Sequence, residues 1–121
     1  SYTRDRRQFG QSLLEMPLTQ AKLANMVTDL LASRLMVREA ARRLDQRSDS
    51  ATVWSAMAKR FATDRCFEVC NTALQLHGGY GYLKDYPIEQ FVRDVRVHQI
   101  LEGTNEIMQV IVARHLLQAM Q

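Results

Sequence analysis

Breakers are scarce in this chain: two prolines and five glycines in 121 residues. That scarcity excludes collagen-like and proline-rich low-complexity chains and leaves long stretches free to be helical. There are two cysteines, Cys66 and Cys70, four apart in an apolar helical pattern. Without further cysteines or nearby histidines they make no zinc signature, and they read as reduced thiols sharing a helix face. The three histidines, His77, His98 and His115, share no ligand spacing, so no metal is expected. No apolar run approaches a membrane span. No segment alternates with period two over a useful length, so no strand is expected. The net charge of +3, from 16 basic and 13 acidic side chains, is too small and dispersed to argue for nucleic acid. Residues 1–10 are charged and begin abruptly, with no signal peptide. They read like the inside of a helix whose beginning lies elsewhere, as in a trimmed or partial chain.

Hydrophobic residues make up 46% and charged residues 24%, enough for one domain with a real core. Residues 1–9 read as a helix end with Gly10 as its cap, and residues 11–17 as a connector closed by Pro17. Thr19 is positioned to cap a helix over 20–47. Its apolar stripe would be Leu23, Val27, Leu30, Val37, Ala41 and Leu44. Apolar residues off that stripe, Met26, Leu31 and Met36, are candidates for subunit contacts. Ser48-Asp49-Ser50 is a capping turn. A second long helix spans 51–76, with Trp54, Ala58, Phe61, Ala62, Cys66, Val69, Ala73 and Leu76 in period. Gly78-Gly79-Tyr80-Gly81 ends it. Pro87 opens a shorter helix to residue 97. Thr104 caps the last helix, with Ile107, Val110, Ile111 and Leu117 on one side. Long helices on short turns pack antiparallel, so the expected fold is all-α: an up-down four-helix bundle with a short extra helix.

Three segments carry chemistry. Between Val97 and Ile107, Glu102 stands at a Gly103-Thr104-Asn105 break just before a helix start. A carboxylate there is a candidate base beside a candidate phosphate cradle, since helix-start N–H groups attract anions. Gln75 to Gly81 places consecutive glycines at a helix end, where backbone N–H groups can reach a phosphate. The plainer reading is a glycine-stopped helix, and no preceding strand makes it a Rossmann fingerprint. Arg6-Arg7-Gln8-Phe9-Gly10 joins two guanidiniums, which chelate phosphate oxygens in a fixed fork, to an aromatic. Its plainer reading is a charged helix end with Phe9 in the core. Arg93, Asp94 and Arg96 read as structural ion pairs.

Taken together, in this order and spacing, these elements resemble the C-terminal domain of the flavin-dependent acyl-CoA dehydrogenases. The matching elements are Arg6 to Gly10, Gln75 to Gly81, Arg93-Asp94 and Glu102 to Asn105, and the resemblance covers nearly the whole chain. The runs His77 to Tyr86 and Arg96 to Gly103 look closest to the isobutyryl-CoA dehydrogenase branch, which acts on short branched acyl-CoA in valine breakdown. The resemblance implies that Glu102 is the base that removes the α-proton of an acyl thioester while a β-hydrogen leaves as hydride to FAD. A thioester α-proton is weakly acidic, so removing it needs a carboxylate within reach and donors on the thioester oxygen. In the family the base's own N–H is one such donor. Gly103 would border the substrate. Thr104, Asn105 and Glu106 would lie near FAD. Arg6, Arg7, Gln8 and Phe9, and Gln75, Leu76, His77, Gly78 and Gly79, would meet the FAD of a neighbouring subunit. The implied assembly is a homodimer or homotetramer, with an electron-transferring flavoprotein as electron acceptor. The implied location is the cytoplasm in a bacterium or the mitochondrial matrix in a eukaryote.

Met16 and Pro17 stand where many relatives carry a polar pair near the cofactor, and Leu101 where some carry Tyr. The family's N-terminal helical domain and middle β domain have no counterpart in residues 1–121, which would form the C-terminal domain with its first helix cut. Alone, these residues should neither hold FAD tightly nor turn over substrate. Two other readings compete: an oligomerisation bundle without catalysis, and a DNA-binding helical surface like that of DNA-repair-associated relatives. An intact Glu102-Gly103-Thr104 disfavours the first, and the lack of a basic stripe disfavours the second.

Overall fold

The computed structural model describes residues 1–121 and opens on one helical turn, α1 (Tyr2–Asp5). A minimal hairpin follows, β1 (Arg7–Gln8) and β2 (Gln11–Ser12), antiparallel with Arg7 opposite Ser12 and Gln8 opposite Gln11. The expected helix through residue 9, and the expectation of no strand, are therefore corrected. Phe9 and Gly10 have φ of 53° and 79°, the paired positive angles of a two-residue hairpin turn, and no helix continues through them. Strands of two residues are too short to show an alternating pattern. Past the hairpin, the Ser12 N–H donates to Glu15 Oε2 at 2.8 Å, closing a capping box on the 3₁₀ turn Leu13–Glu15.

Helix α2 (Pro17–Asp45) starts at proline rather than after Thr19, because a first-turn residue needs no N–H partner. Thr19 is instead buried inside it. Helix α3 (Ala51–His77) returns after the turn at 46–50. Ser50 does not cap it through its side chain. Its Oγ accepts from Arg43 Nη1 at 2.6 Å, while the Arg43 guanidinium lies 4.3 Å from the Trp54 ring centre. A 3₁₀ turn, Gly78–Tyr82, leads to α4 (Ile88–His98), and α5 (Asn105–Ala119) completes the chain.

The fold is all-α in its long elements, with α3 at the centre. α2 packs on one side of α3, and α4 and α5 pack on the other. None of the α3 positions expected to face inward is exposed, but neither is any other residue from Val53 to Phe67, so that stretch is covered on every side. The α2 stripe is corrected. The face turned to α3 is Thr19, Leu23, Met26, Ser33, Met36 and Ala40, whereas Val27, Leu30, Val37, Ala41 and Leu44 are exposed. Met26 and Met36 thus belong to the internal face, and only Leu31 of the expected contact residues points outward. In α5 the inward residues are Asn105, Met108, Ile111 and Val112, while Ile107, Val110 and Leu117 are exposed. Cys66 and Cys70 are free and half-buried; burial pushes both thiols up, and Cys70 also feels Cys66. Arg93 pairs with Glu89 at 3.2 Å, but Asp94 and Arg96 form no ion pair. No helix is long and apolar enough to cross a membrane, and no three metal-type side chains converge.

Candidate functional site

Two clusters carry the residues that the sequence singles out, one at the C-terminal end of α3 and one against its middle. The first forms where α3 stops. Gly78 ends the helix with φ 60°, a conformation that glycine adopts without a Cβ penalty. The Tyr2 hydroxyl donates to the His77 carbonyl at 3.1 Å, and the two rings stack at 4.1 Å. His77 Nδ1 donates to the Ala73 carbonyl at 2.7 Å, which fixes that ring. These contacts tie the amino end of the chain to the end of α3. The Arg6 guanidinium then lies 5.1 Å from the Tyr80 ring centre.

Between these parts runs a groove of about 400 Å³, with Arg6 and Gln8 on one wall and Gln75 to Gly79 on the other. A Cβ added at Gly78 or Gly79 would meet nothing within 4 Å, so both backbones border open space. Seven of the expected cofactor residues therefore converge. Arg7 and Phe9 do not line the groove. Phe9 stands 93% exposed at the hairpin tip, which overturns its reading as a core residue. The positive φ at Phe9 turns it away from the helices rather than into them.

The second cluster is the α4–α5 turn. Glu102 is exposed and has φ 57°, in the left-handed region. For a residue with a Cβ that costs about 1–3 kcal/mol and persists only where its surroundings enforce it. Gly103 follows at φ 88°. Thr104 caps α5 as expected, its Oγ1 accepting from the Ile107 N–H at 3.3 Å. The N–H groups of Glu102 and Gly103 have no partner in the chain, whereas that of Asn105 donates to the Gln99 carbonyl at 3.0 Å. The phosphate cradle expected at this helix start is thus partly closed from within.

The Asn105 side chain is also committed. It is buried, donates to Asp64 Oδ1 at 2.7 Å and to Thr63 Oγ1 at 2.9 Å, and accepts from Lys59 Nζ at 2.6 Å. Its side chain faces α3. Lys59 Nζ also donates to the Gly103 carbonyl at 2.7 Å, and Gln99 Nε2 donates to Asp64 at 2.8 Å. Sequence reasoning missed Lys59, Thr63, Asp64 and Gln99. Nothing in the sequence marks them, since α3 carries polar residues throughout and Gln99 lies past the end of α4. Glu106 is exposed in the first turn of α5.

The α4–α5 turn packs on Lys59 to Asp64, 13 to 18 residues before His77, about 20–27 Å of helix at 1.5 Å per residue. The Glu102 turn and the arginine–glycine groove therefore do not meet within one chain.

The C-terminal domain model of the acyl-CoA dehydrogenases matches residues 1–117. The chain belongs to the acyl-CoA dehydrogenase family. It is 56% identical over 117 residues to the mitochondrial isobutyryl-CoA dehydrogenase of Bos taurus, covering 97% of this chain and 28% of that protein. To the Dictyostelium discoideum isobutyryl-CoA dehydrogenase it is 54% identical, covering 92% of this chain and 27% of that one. The butyryl-CoA dehydrogenase of Megasphaera elsdenii superposes with a TM-score of 0.93 at 37% identity, covering 96% of this chain and 30% of that one. The chain thus spans under a third of the length of these relatives. A structure of PigA in complex with FAD superposes with a TM-score of 0.90 at 27% identity, covering 95% of this chain and 30% of that one.

The groove suits such a cofactor chemically. One guanidinium, two carboxamides from Gln8 and Gln75, and glycine backbone open to the cavity match the anionic and polar groups of a dinucleotide.

Proposed function

We propose that this chain supplies the catalytic base and part of a subunit-spanning FAD site in an acyl-CoA dehydrogenase acting on short, branched acyl-CoA. The observation that carries this reading is the placement of Glu102. It stands exposed, in a left-handed turn, with its own N–H unpartnered, against the middle of α3 and well away from the Arg6–Gly79 groove. In this reading the Glu102 carboxylate removes the α-proton of the acyl thioester. The free N–H of Glu102 donates to the thioester oxygen and stabilises the charge that develops there. When bound, FAD supplies the hydride acceptor for the β-carbon. Gly103 would border the substrate; the space its missing side chain leaves is taken by Met108, whose Cε would lie 2.8 Å from an added Cβ. The groove residues Arg6, Gln8 and Gln75 to Gly79 hold the nucleotide portion of an FAD whose remainder rests on another subunit.

The isobutyryl-CoA dehydrogenase relatives favour a short branched substrate. The exposed apolar face of α2, with Val27, Leu31 and Leu44, supports a homo-oligomer, since soluble proteins rarely leave so continuous a face bare. The remaining domains of the family fold would hold the rest of the flavin and the acyl chain. Electrons would pass to an electron-transferring flavoprotein, in a bacterial cytoplasm or a mitochondrial matrix.

Glu102→Gln in the full-length protein tests the assignment. Dehydrogenation should fall by about 10²–10⁴-fold while FAD content is unchanged. Activity within about tenfold of wild type would place the base elsewhere.

A further inference from the structure

The turn that carries Glu102 is held by charges belonging to another helix. Lys59 and Asp64, five residues apart on α3, bind opposite ends of one carboxamide. Lys59 donates to Asn105 Oδ1 at 2.6 Å, and Asn105 Nδ2 donates to Asp64 Oδ1 at 2.7 Å. The two charges fix the orientation of that amide, because a flipped Asn105 would turn its NH₂ toward the ammonium and its oxygen toward the carboxylate. Both contacts are charge-assisted, the stronger class of hydrogen bond. Lys59 also holds the Gly103 carbonyl at 2.7 Å, one residue past the base. Asp64 holds Gln99 at 2.8 Å, and the Gln99 carbonyl accepts the Asn105 N–H at 3.0 Å. The turn is thus gripped on both sides of Glu102, while Glu102 itself, at φ 57°, makes no hydrogen bond or ion pair.

We infer that Lys59, Asp64 and Asn105 form a clamp that positions Glu102 for proton abstraction, with Lys59 as its principal member. The inference rests on the reading of Glu102 as the base. Lys59 touches neither substrate nor cofactor in this role. It sets the direction of the carboxylate through the Gly103 peptide. Loosening the clamp lets the turn relax toward ordinary backbone angles and swings the carboxylate away from the α-carbon. A misplacement of about 1 Å is enough to cost about 100-fold in rate.

The test uses the full-length, FAD-loaded protein. Lys59→Met should lower kcat by about 10- to 100-fold. Acyl-CoA KM and FAD content should stay near wild type, the melting temperature should fall by only a few degrees for the two lost hydrogen bonds, and amide hydrogen exchange across residues 101–104 should accelerate. Lys59→Arg keeps the charge and at least two donors, and should recover most of the lost kcat. A kcat for Lys59→Met within about twofold of wild type overturns the clamp, a ratio too small for a misplaced base. So does a loss of kcat that only follows lost FAD or a larger fall in melting temperature. Where Lys59→Met fails to fold, Asp64→Asn keeps the side-chain volume but removes the charge that orients Asn105 and Gln99. It should lower kcat by about 2- to 10-fold with FAD retained, and an unchanged kcat overturns the clamp. Glu102→Gln measured in parallel separates the two ideas. Activity retained there sinks the base assignment, whereas an inactive Glu102→Gln beside a fully active Lys59→Met sinks only the clamp.

Discussion

Adding one methyl group at either of two nearby glycines should separate folding from cofactor binding. At Gly81 a Cβ would lie 2.8 Å from the Leu74 carbonyl oxygen and 3.0 Å from Leu74 Cγ. The oxygen belongs to the backbone of α3 and cannot retreat without disturbing the helix. Overpacking of this kind costs about 1–3 kcal/mol. Replacing glycine by alanine also restricts the unfolded chain, which returns about 0.4–1 kcal/mol. Gly81→Ala should therefore be destabilised by about 1–2 kcal/mol net. At Gly79 an added Cβ meets nothing within 4 Å, and the backbone is not left-handed. Gly79→Ala should be neutral, or more stable by about 0.4–1 kcal/mol. Its methyl would nevertheless project into open space on a residue that lines the groove.

Urea unfolding of the chain and FAD retention by the full-length protein read the two effects separately. Gly81→Ala should lose stability. Gly79→Ala should keep stability and bind FAD roughly tenfold more weakly, a difference of about 1.4 kcal/mol. Full FAD affinity in Gly79→Ala would refute the groove as a nucleotide site. A Gly79→Ala as destabilised as Gly81→Ala would refute the packing argument.

Glu39 carries a second consequence. Hydrogen bonds from Arg42 and then Arg43 lower its carboxyl from 4.5 to about 2. A depressed carboxylate stabilises the fold above its ordinary range and loses that effect as pH falls toward about 2, so Glu39→Gln should flatten the acid unfolding profile between about pH 4.5 and 2, followed by circular dichroism. Phe9→Asn places a residue tolerant of positive φ before Gly10, and should stabilise the isolated chain by about 1 kcal/mol in urea unfolding.

The helix boundaries were legible because the chain punctuates them: Pro17, Ser48 to Ser50, Gly78-Gly79, Pro87 and Thr104 each fall at or beside an observed end. The inward face of α2 was not legible. That helix is apolar on more than one side, and hydrophobic periodicity cannot tell a face that meets α3 from one left for another partner. The same ambiguity hid the true packing side of α5. The hairpin escaped because two-residue strands carry no pattern. Arg6, Gln8, Glu102 and the glycines could be singled out through their family resemblance. Lys59, Asp64 and Gln99 could not, because their importance lies in contacts made 35 to 46 residues away. Polar side chains of that kind look like a solvated face until the turn that folds onto them is seen.

Separation along α3 bears on how subunits would cooperate. The turn that carries Glu102 packs on Lys59 to Asp64, about 20–27 Å along α3 from the groove, so under the proposed function one composite site would draw the base and the groove from two chains. A two-fold axis that brings the Glu102 turn of one chain toward the groove of another would do the same in reverse, creating two equivalent sites. Crippled subunits should then complement each other. Glu102→Gln and Arg6→Ala homo-oligomers should each be deficient, one lacking the base and the other a nucleotide contact. A mixed pair has one site with both defects and one with neither. Random pairing makes half of the pairs mixed, and half of their sites are intact, so co-expression should restore about a quarter of wild-type activity. If one chain supplied both groups to its own site, every site in the mixture would keep one defect and no activity would return.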